Sequence, residues 1–133
     1  MLQNTIHWFR KGLRLHDNPA LMEACDFVRS KGGPSSGARV YPLFILDPAF
    51  CSPETIGVNR YSFLLESLSD LDSSLRRAGS MLFVAKGKPE ELLPRLADEV
   101  MKRSEVKRQF INLLLYYYLL KFALFIYESY YAC

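Results

Sequence analysis

Three short apolar runs, each followed by a stretch of helical periodicity, constrain this chain more than any other feature of its 133 residues. The runs are IHWF at 6–9, VYPLFIL at 40–46 and MLFVA at 81–85. Polar residues lead into the first and basic ones follow it, so residues 4–9 read as a buried strand. Pro42 cannot donate to a ladder, so the second strand is expected to pair fully only beyond it. The clearest helix starts near Val58. There Tyr61, Leu64, Leu65, Leu68, Leu71 and Leu75 recur as one apolar stripe. Arg76 and Arg77 suit the negative end of its dipole, and Gly79 suits the residue just past it. An earlier helix opens on Pro19, capped by Asp17 or Asn18, and carries Leu21, Met22, Cys25 and Val28. A later one opens on Pro89, Glu90 and Glu91 and buries Leu92, Leu93, Leu96 and Val100. Pro94 fits it only within about the first turn. The stretch SKGGPSSGA at 30–38 is a loop. Strand and helix alternating three times predicts parallel βαβ units with right-handed crossovers, an α/β chain.

Composition narrows the classes. Half of the residues are hydrophobic and 23% are charged, which suits one small globular domain with its own core. A net charge of +3 does not by itself argue for nucleic acid. Cys25, Cys51 and Cys133 are odd in number and form no C-x-x-C, and neither His7 nor His16 stands at metal-ligand spacing from them. No disulfide framework or zinc site is expected, and a reducing compartment is the default. The N-terminus has no apolar h-region of the secretory type. All glycines and prolines lie at or before Pro94, whereas residues 110–133 hold six of the eight tyrosines. The expected division is a domain over 1–103 and a basic, then aromatic, tail over 104–133.

In a parallel sheet, ligands bind outside the carboxyl ends of the strands. The loops there are 10–18, 47–59 and 86–88. They are expected to gather Arg10, Lys11, Arg14, Asp17, Asp47, Asn59, Arg60, Lys86 and Lys88 around one crevice. The first loop, RKGLRLHDN, lacks both the G-x-G-x-x-G and the G-x-x-x-x-G-K-[ST] spacing, so dinucleotide and P-loop sites are disfavoured. It reads either as a cradle for an anionic or polar planar ligand or as a solvated loop. In the second reading Asp17 caps a helix and pairs with Arg14. Trp8 in a strand is more often core than a stacking platform. Glu90 and Glu91 complement a helix dipole rather than form an acid–base pair. Neither histidine stands in a nucleophile dyad.

WFRKGLRLHDNPAL at 8–21, FILDP at 44–48 and the segment 57–96 from GVNRYSFLLESL to EELLPRL resemble the N-terminal domain of the photolyase/cryptochrome family. The detail is similar to six-four photolyases and animal-type cryptochromes. The resemblance covers about 5–103 and implies a Rossmann-like, three-layer parallel sheet. It further implies an antenna chromophore, a deazaflavin or a folate, that passes its excitation to FAD in a larger helical domain. In the repair enzymes the excited, reduced flavin donates an electron to a DNA photoproduct. By motif, Arg10 falls at the wall of the antenna pocket. Asp47 and Arg60 correspond to polar residues that line the deazaflavin pocket of some members. The nucleus, the cytoplasm or an organelle is the compartment the resemblance implies.

The match fades near 101–107, before a fourth strand and the helical, FAD-binding domain. The expectation is therefore a truncated antenna domain without repair activity or DNA binding of its own. A rival expectation is an interaction fragment that binds or competes with a full-length relative; a nucleotide-binding domain of another kind is a third. The tail at 110–127 is near the minimum length for a bilayer span, and Lys121 inside it is costly. It reads as a membrane anchor, as a cover for the open edge of the first strand, or as read-through with no selected role.

Overall fold

A computed structural model describes residues 4–102. The readings of the tail concern 104–133 and lie outside the described residues. Strands β1 (Thr5–Phe9), β2 (Val40–Leu46) and β3 (Phe83–Lys86) form a parallel sheet in the order β1-β2-β3. Helix α1 (Pro19–Ser30) joins the first pair, while α2 (Pro53–Ile56) and α3 (Val58–Arg77) join the second; α4 (Pro89–Lys102) follows β3. The α/β alternation legible in the sequence is the alternation observed. Pairing with β3 begins at Leu43, one residue past Pro42, whereas pairing with β1 runs across it, with His7 opposite Pro42. Pro42 therefore delays only one of the two ladders.

The core follows from the two periodicities. Alternation along the strands puts Phe9 and its register partner Phe44 on one face. The α3 stripe lays Leu68, Leu71 and Leu75 over them, and Leu82 closes the cluster. Phe9 and Leu82 are each 2% exposed. Leu21 of α1 packs at its margin, as do Leu46, Leu64 and Val84. Leu43 and Ile45 are buried on the opposite face of the sheet. The early part of the stripe, Tyr61 to Leu65, is only half-buried.

The ends of α3 show what stops it. Gly79 takes φ +79. Its N–H donates to the Arg76 carbonyl at 3.0 Å and that of Ser80 to the Leu75 carbonyl at 2.9 Å. This is the paired closure that a glycine past a helix end permits. Met81 and Leu82 precede β3 rather than belonging to it, a two-residue correction to the strand expected from 81. Leu82 falls opposite Pro42, and Asp72 takes its N–H instead: Oδ1 accepts it at 2.9 Å while Oδ2 takes the Arg76 Nε–H at 2.7 Å. That half-buried carboxylate staples the helix to the strand behind it. Asp72→Ala is expected to cost about 2 kcal/mol, because the loss strands a partly buried donor. Asp72→Asn keeps an acceptor for Leu82 and is expected to lose less than half as much. Urea midpoints compare the two, and equal losses would show that the Leu82 bond contributes nothing.

Three helical features depart from expectation, the first a turn of 3-10 helix at Gly33–Ser36 inside the stretch read as a loop. The stretch 47–59 contains α2, capped by Ser52, whose Oγ accepts the Thr55 N–H at 3.2 Å. Pro53 supplies the first helical residue, and Gly57 at φ +81 ends it. Four residues are too few to show a period. In α4, Pro94 is the sixth residue, beyond the first turn. It sits on the exposed face, where water can take the Glu90 carbonyl that its missing N–H leaves free. The far end of α4 is tied down by Asn4. Its Nδ2 donates to the Val100 carbonyl at 2.9 Å and its Oδ1 accepts the Arg39 N–H at 3.0 Å.

Candidate functional site

At the carboxyl end of β1 the chain turns into the loop 10–18 beside an open cleft of about 250 Å³. Its walls come from the end of β1 (His7, Trp8, Phe9, Arg10), from Gly12, Arg14 and Asp17 of the loop, and from the start of α1. The Arg10 guanidinium lies over the Trp8 ring, 5.0 Å from its centroid. That contact holds a cation at the rim without neutralising it. Arg14 takes the opposite role. Its Nε and one terminal nitrogen donate to the Asp17 carbonyl at 3.2 and 3.0 Å, and its charge meets the Asp17 carboxylate at 3.4 Å. Both side chains are mostly exposed, so this pair shapes the loop more than it stabilises the fold. Asp17 itself stands at φ +48, a conformation that aspartate tolerates better than most residues. Of the two cap candidates, Asn18 is the one used: its Oδ1 accepts the Leu21 N–H at 3.1 Å.

His7 forms the inner wall. It is 7% exposed and meets Phe9 edge-on at 4.4 Å. Burial lowers its pKa below the ordinary 6.5, so the ring is neutral at physiological pH. A buried neutral imidazole with the Arg10 cation at the rim suits a planar ligand with a polar edge. Gly12 leaves the cleft open, since a Cβ built there meets nothing within 4 Å.

Of the three residues assigned by motif, Arg10 lines this cleft, whereas Asp47 and Arg60 do not. Asp47 is half-buried at the end of β2 and turns its carboxylate onto the Ala49 N–H at 2.9 Å. Its carbonyl takes the N–H groups of Phe50 and Cys51 at 3.0 and 2.7 Å. Arg60 is exposed in the first turn of α3. Around that second loop burial pushes the Cys51 thiol up, and the charge of Asp47 adds to the rise, which leaves a poor nucleophile. Burial likewise raises Tyr61, and hydrogen bonds from its own backbone and from Ser52 lower Glu54. Lys86 adds a further pull on Glu54. Sequence reasoning offered Asn18 as a helix cap but placed neither it nor His7 in the cleft. The signal that finds them is the two-residue period, which puts His7 on the core side with Phe9, next to the cap of the following helix.

The sequence matches the DNA photolyase family model over residues 5–107. It is 48% identical over 104 residues to cryptochrome-1 of Aedes aegypti, covering 78% of this chain and 18% of that one. It is 47% identical over 95 residues to cryptochrome-2 of Gallus gallus, covering 71% and 15%. Among solved structures, it resembles an archaeal photolyase of Sulfolobus tokodaii that holds two FAD molecules (TM-score 0.54, 34% identity, 74% of this chain and 21% of that one). It also resembles a class III photolyase of Agrobacterium tumefaciens (TM-score 0.54, 32% identity, 75% and 18%). The chain thus spans less than a fifth of the length of these curated relatives. The order and parallel pairing of its strands agree with those likenesses, and the chain belongs to the DNA photolyase/cryptochrome family, of which it carries the N-terminal α/β domain.

Proposed function

We propose that residues 1–103 form a light-harvesting domain whose β1–α1 cleft takes the ring edge of an antenna chromophore, a deazaflavin, a folate or a flavin. The observation that carries this reading is the cleft at the carboxyl end of β1, with Arg10 poised over Trp8 and an open Gly12. The archaeal relative holds two FAD molecules, which imply a novel light-harvesting cofactor there and support the same reading here. Size fits a fused ring system but not a dinucleotide, because about 250 Å³ lies below the usual range for whole ligands. A bound chromophore would supply absorption of near-ultraviolet or blue light. The protein's part is to hold it. Arg10 pairs with its polar or anionic edge, the Gly12 backbone admits a close approach, and His7 and Phe9 exclude water from the inner side. Asp47 and Arg60 are the further polar residues that the family pattern assigns to a deazaflavin. Electron transfer from FAD to a DNA lesion belongs to a part of such proteins outside this domain.

Fluorescence titration of the purified chain with a deazaflavin, a reduced folate and FMN tests the reading. Saturable binding is expected in the micromolar range, about −8 kcal/mol, weakened roughly tenfold by Arg10→Ala. No saturation with any of the three would reject it. With added FAD and blue light the chain is expected to leave six-four lesions intact, and measurable repair would overturn the division of labour.

A further inference from the structure

The inner end of the cleft holds a titratable ring tied to the loop by a single amide. Nε2 of His7 stands 3.4 Å from Nδ2 of Asn18. The orientation of that amide is set from its other side. Oδ1 accepts the Leu21 N–H at 3.1 Å and Nδ2 donates to the Arg14 carbonyl at 3.2 Å. The NH₂ group therefore faces the ring, so Nε2 accepts and the ring proton sits on Nδ1. Arg14 in turn holds the Asp17 carbonyl across a residue at φ +48. One side chain thus joins the buried ring, the start of α1 and the turn that walls the cleft.

We propose that His7 and Asn18 form a proton-operated latch on the β1–α1 loop, closed while the ring is neutral and released when it is protonated. A protonated ring presents Nε2–H to the Asn18 NH₂, and two donors then face each other. If the amide turns over, its donors meet the Leu21 N–H instead. If it moves away, both the helix cap and the Arg14 carbonyl lose their partner. The groups around the ring offer the proton no counter-charge. Arg10 on its own strand is a cation. In the loop, Arg14 and Asp17 are paired with each other. The first turn of α1 has no acidic residue. The residue opposite on β2 is Pro42. On α3, Asp72 is bonded to Leu82 and Arg76, and α4, which also packs against β1, carries Glu90, Glu91, Arg95, Asp98 and Glu99, none of which shifts the ring. Burial alone therefore acts on the ring and lowers its affinity for a proton. The released chain takes up that proton at its ordinary value of 6.5, so the latch holds above 6.5 and loosens as pH falls below it.

Amide hydrogen exchange on the full chain, read by NMR from about pH 7.5 to about pH 5.5, tests this without any ligand, and so independently of the chromophore reading. Protection of the Leu21 N–H, corrected for intrinsic exchange, is expected to fall as pH drops below 6.5, by about tenfold per unit at most. The Ser80 N–H, bonded to the Leu75 carbonyl at 2.9 Å, reports the rest of the domain and is expected to hold. Ring nitrogen shifts are expected to show the Nδ1–H tautomer at the upper pH. His7→Gln removes the pH dependence at Leu21. Asn18→Asp keeps a good cap and gives the ring a carboxylate, so protection persists as pH falls. The latch is overturned by parallel loss at Leu21 and Ser80, by a flat Leu21 profile in the unaltered protein, or by an Nε2–H tautomer.

Discussion

Phe9→Ala is expected to remove about 3–5 kcal/mol of stability, the cost of emptying a well-packed aromatic site. Phe9 is 2% exposed and lies against Phe44, Leu68, Leu71 and Leu75, so there is no mobile neighbour at the surface to fill the hole. It also supports the edge-on contact with His7 at 4.4 Å. A domain of this size has roughly 5–15 kcal/mol in total, so about a fifth of the margin or more goes with one side chain. Each kcal/mol is worth roughly 4–8 °C, which sets a drop of at least about 12 °C in Tm. Thermal unfolding followed by circular dichroism measures it. A cooperative transition shifted by less than about 4 °C would mean that β1 is not packed against α3 as described. The experiment bears on function too, because Phe9 is at once the floor of the cleft and the centre of the core.

That double role explains how much of the molecule was legible. Apolar period fixed the position of α3, since Leu68, Leu71 and Leu75 could be buried together in no other conformation. Chain chemistry fixed its end, because only a glycine takes the φ of +79 seen at Gly79 without strain. The start of β3 was not legible. The Leu82 N–H just before it goes to a carboxylate ten residues upstream, and no local pattern encodes a long-range acceptor. α2 was missed for a related reason: its only sequence signals are Ser52, Pro53 and Gly57, which read equally well as a loop. At the site, Arg10 was legible because it follows the first strand, but the carboxyl-end rule also gathered Asp47 and Arg60, which do not line the cleft. The contribution of His7 was not, since a histidine between two apolar residues carries no sign of which nitrogen holds its proton. Only the amide of Asn18, fixed by its cap to Leu21, decides that.

Gly12→Phe is expected to abolish chromophore binding while leaving the fold unchanged, and that pair of results bears most directly on where the ligand sits. Substituting a glycine is often costly, as at Gly87, where φ is +147 and a Cβ would stand 3.1 Å from Leu92 Cδ1. Gly12 differs on both counts. It is not among the positive-φ glycines, and a Cβ there meets nothing within 4 Å. The new ring has only the cleft and solvent to occupy, and the cleft offers Trp8 and the inner apolar wall. Stability should therefore stay within about 0.5 kcal/mol of the parent. Ligand affinity should fall by more than about 100-fold, some 2.7 kcal/mol, because a filled cleft of this size leaves no room for a second ring system. Titration of Gly12→Phe beside Arg60→Ala and Asp47→Ala separates the two loops. Loss at Gly12 with smaller losses at 47 and 60 places the ring edge against β1. Unchanged binding in Gly12→Phe, together with loss in the other two, would move the site to the end of β2. The carboxylate of Asp47 would then have to leave the Ala49 N–H, 2.9 Å away, to meet the ligand.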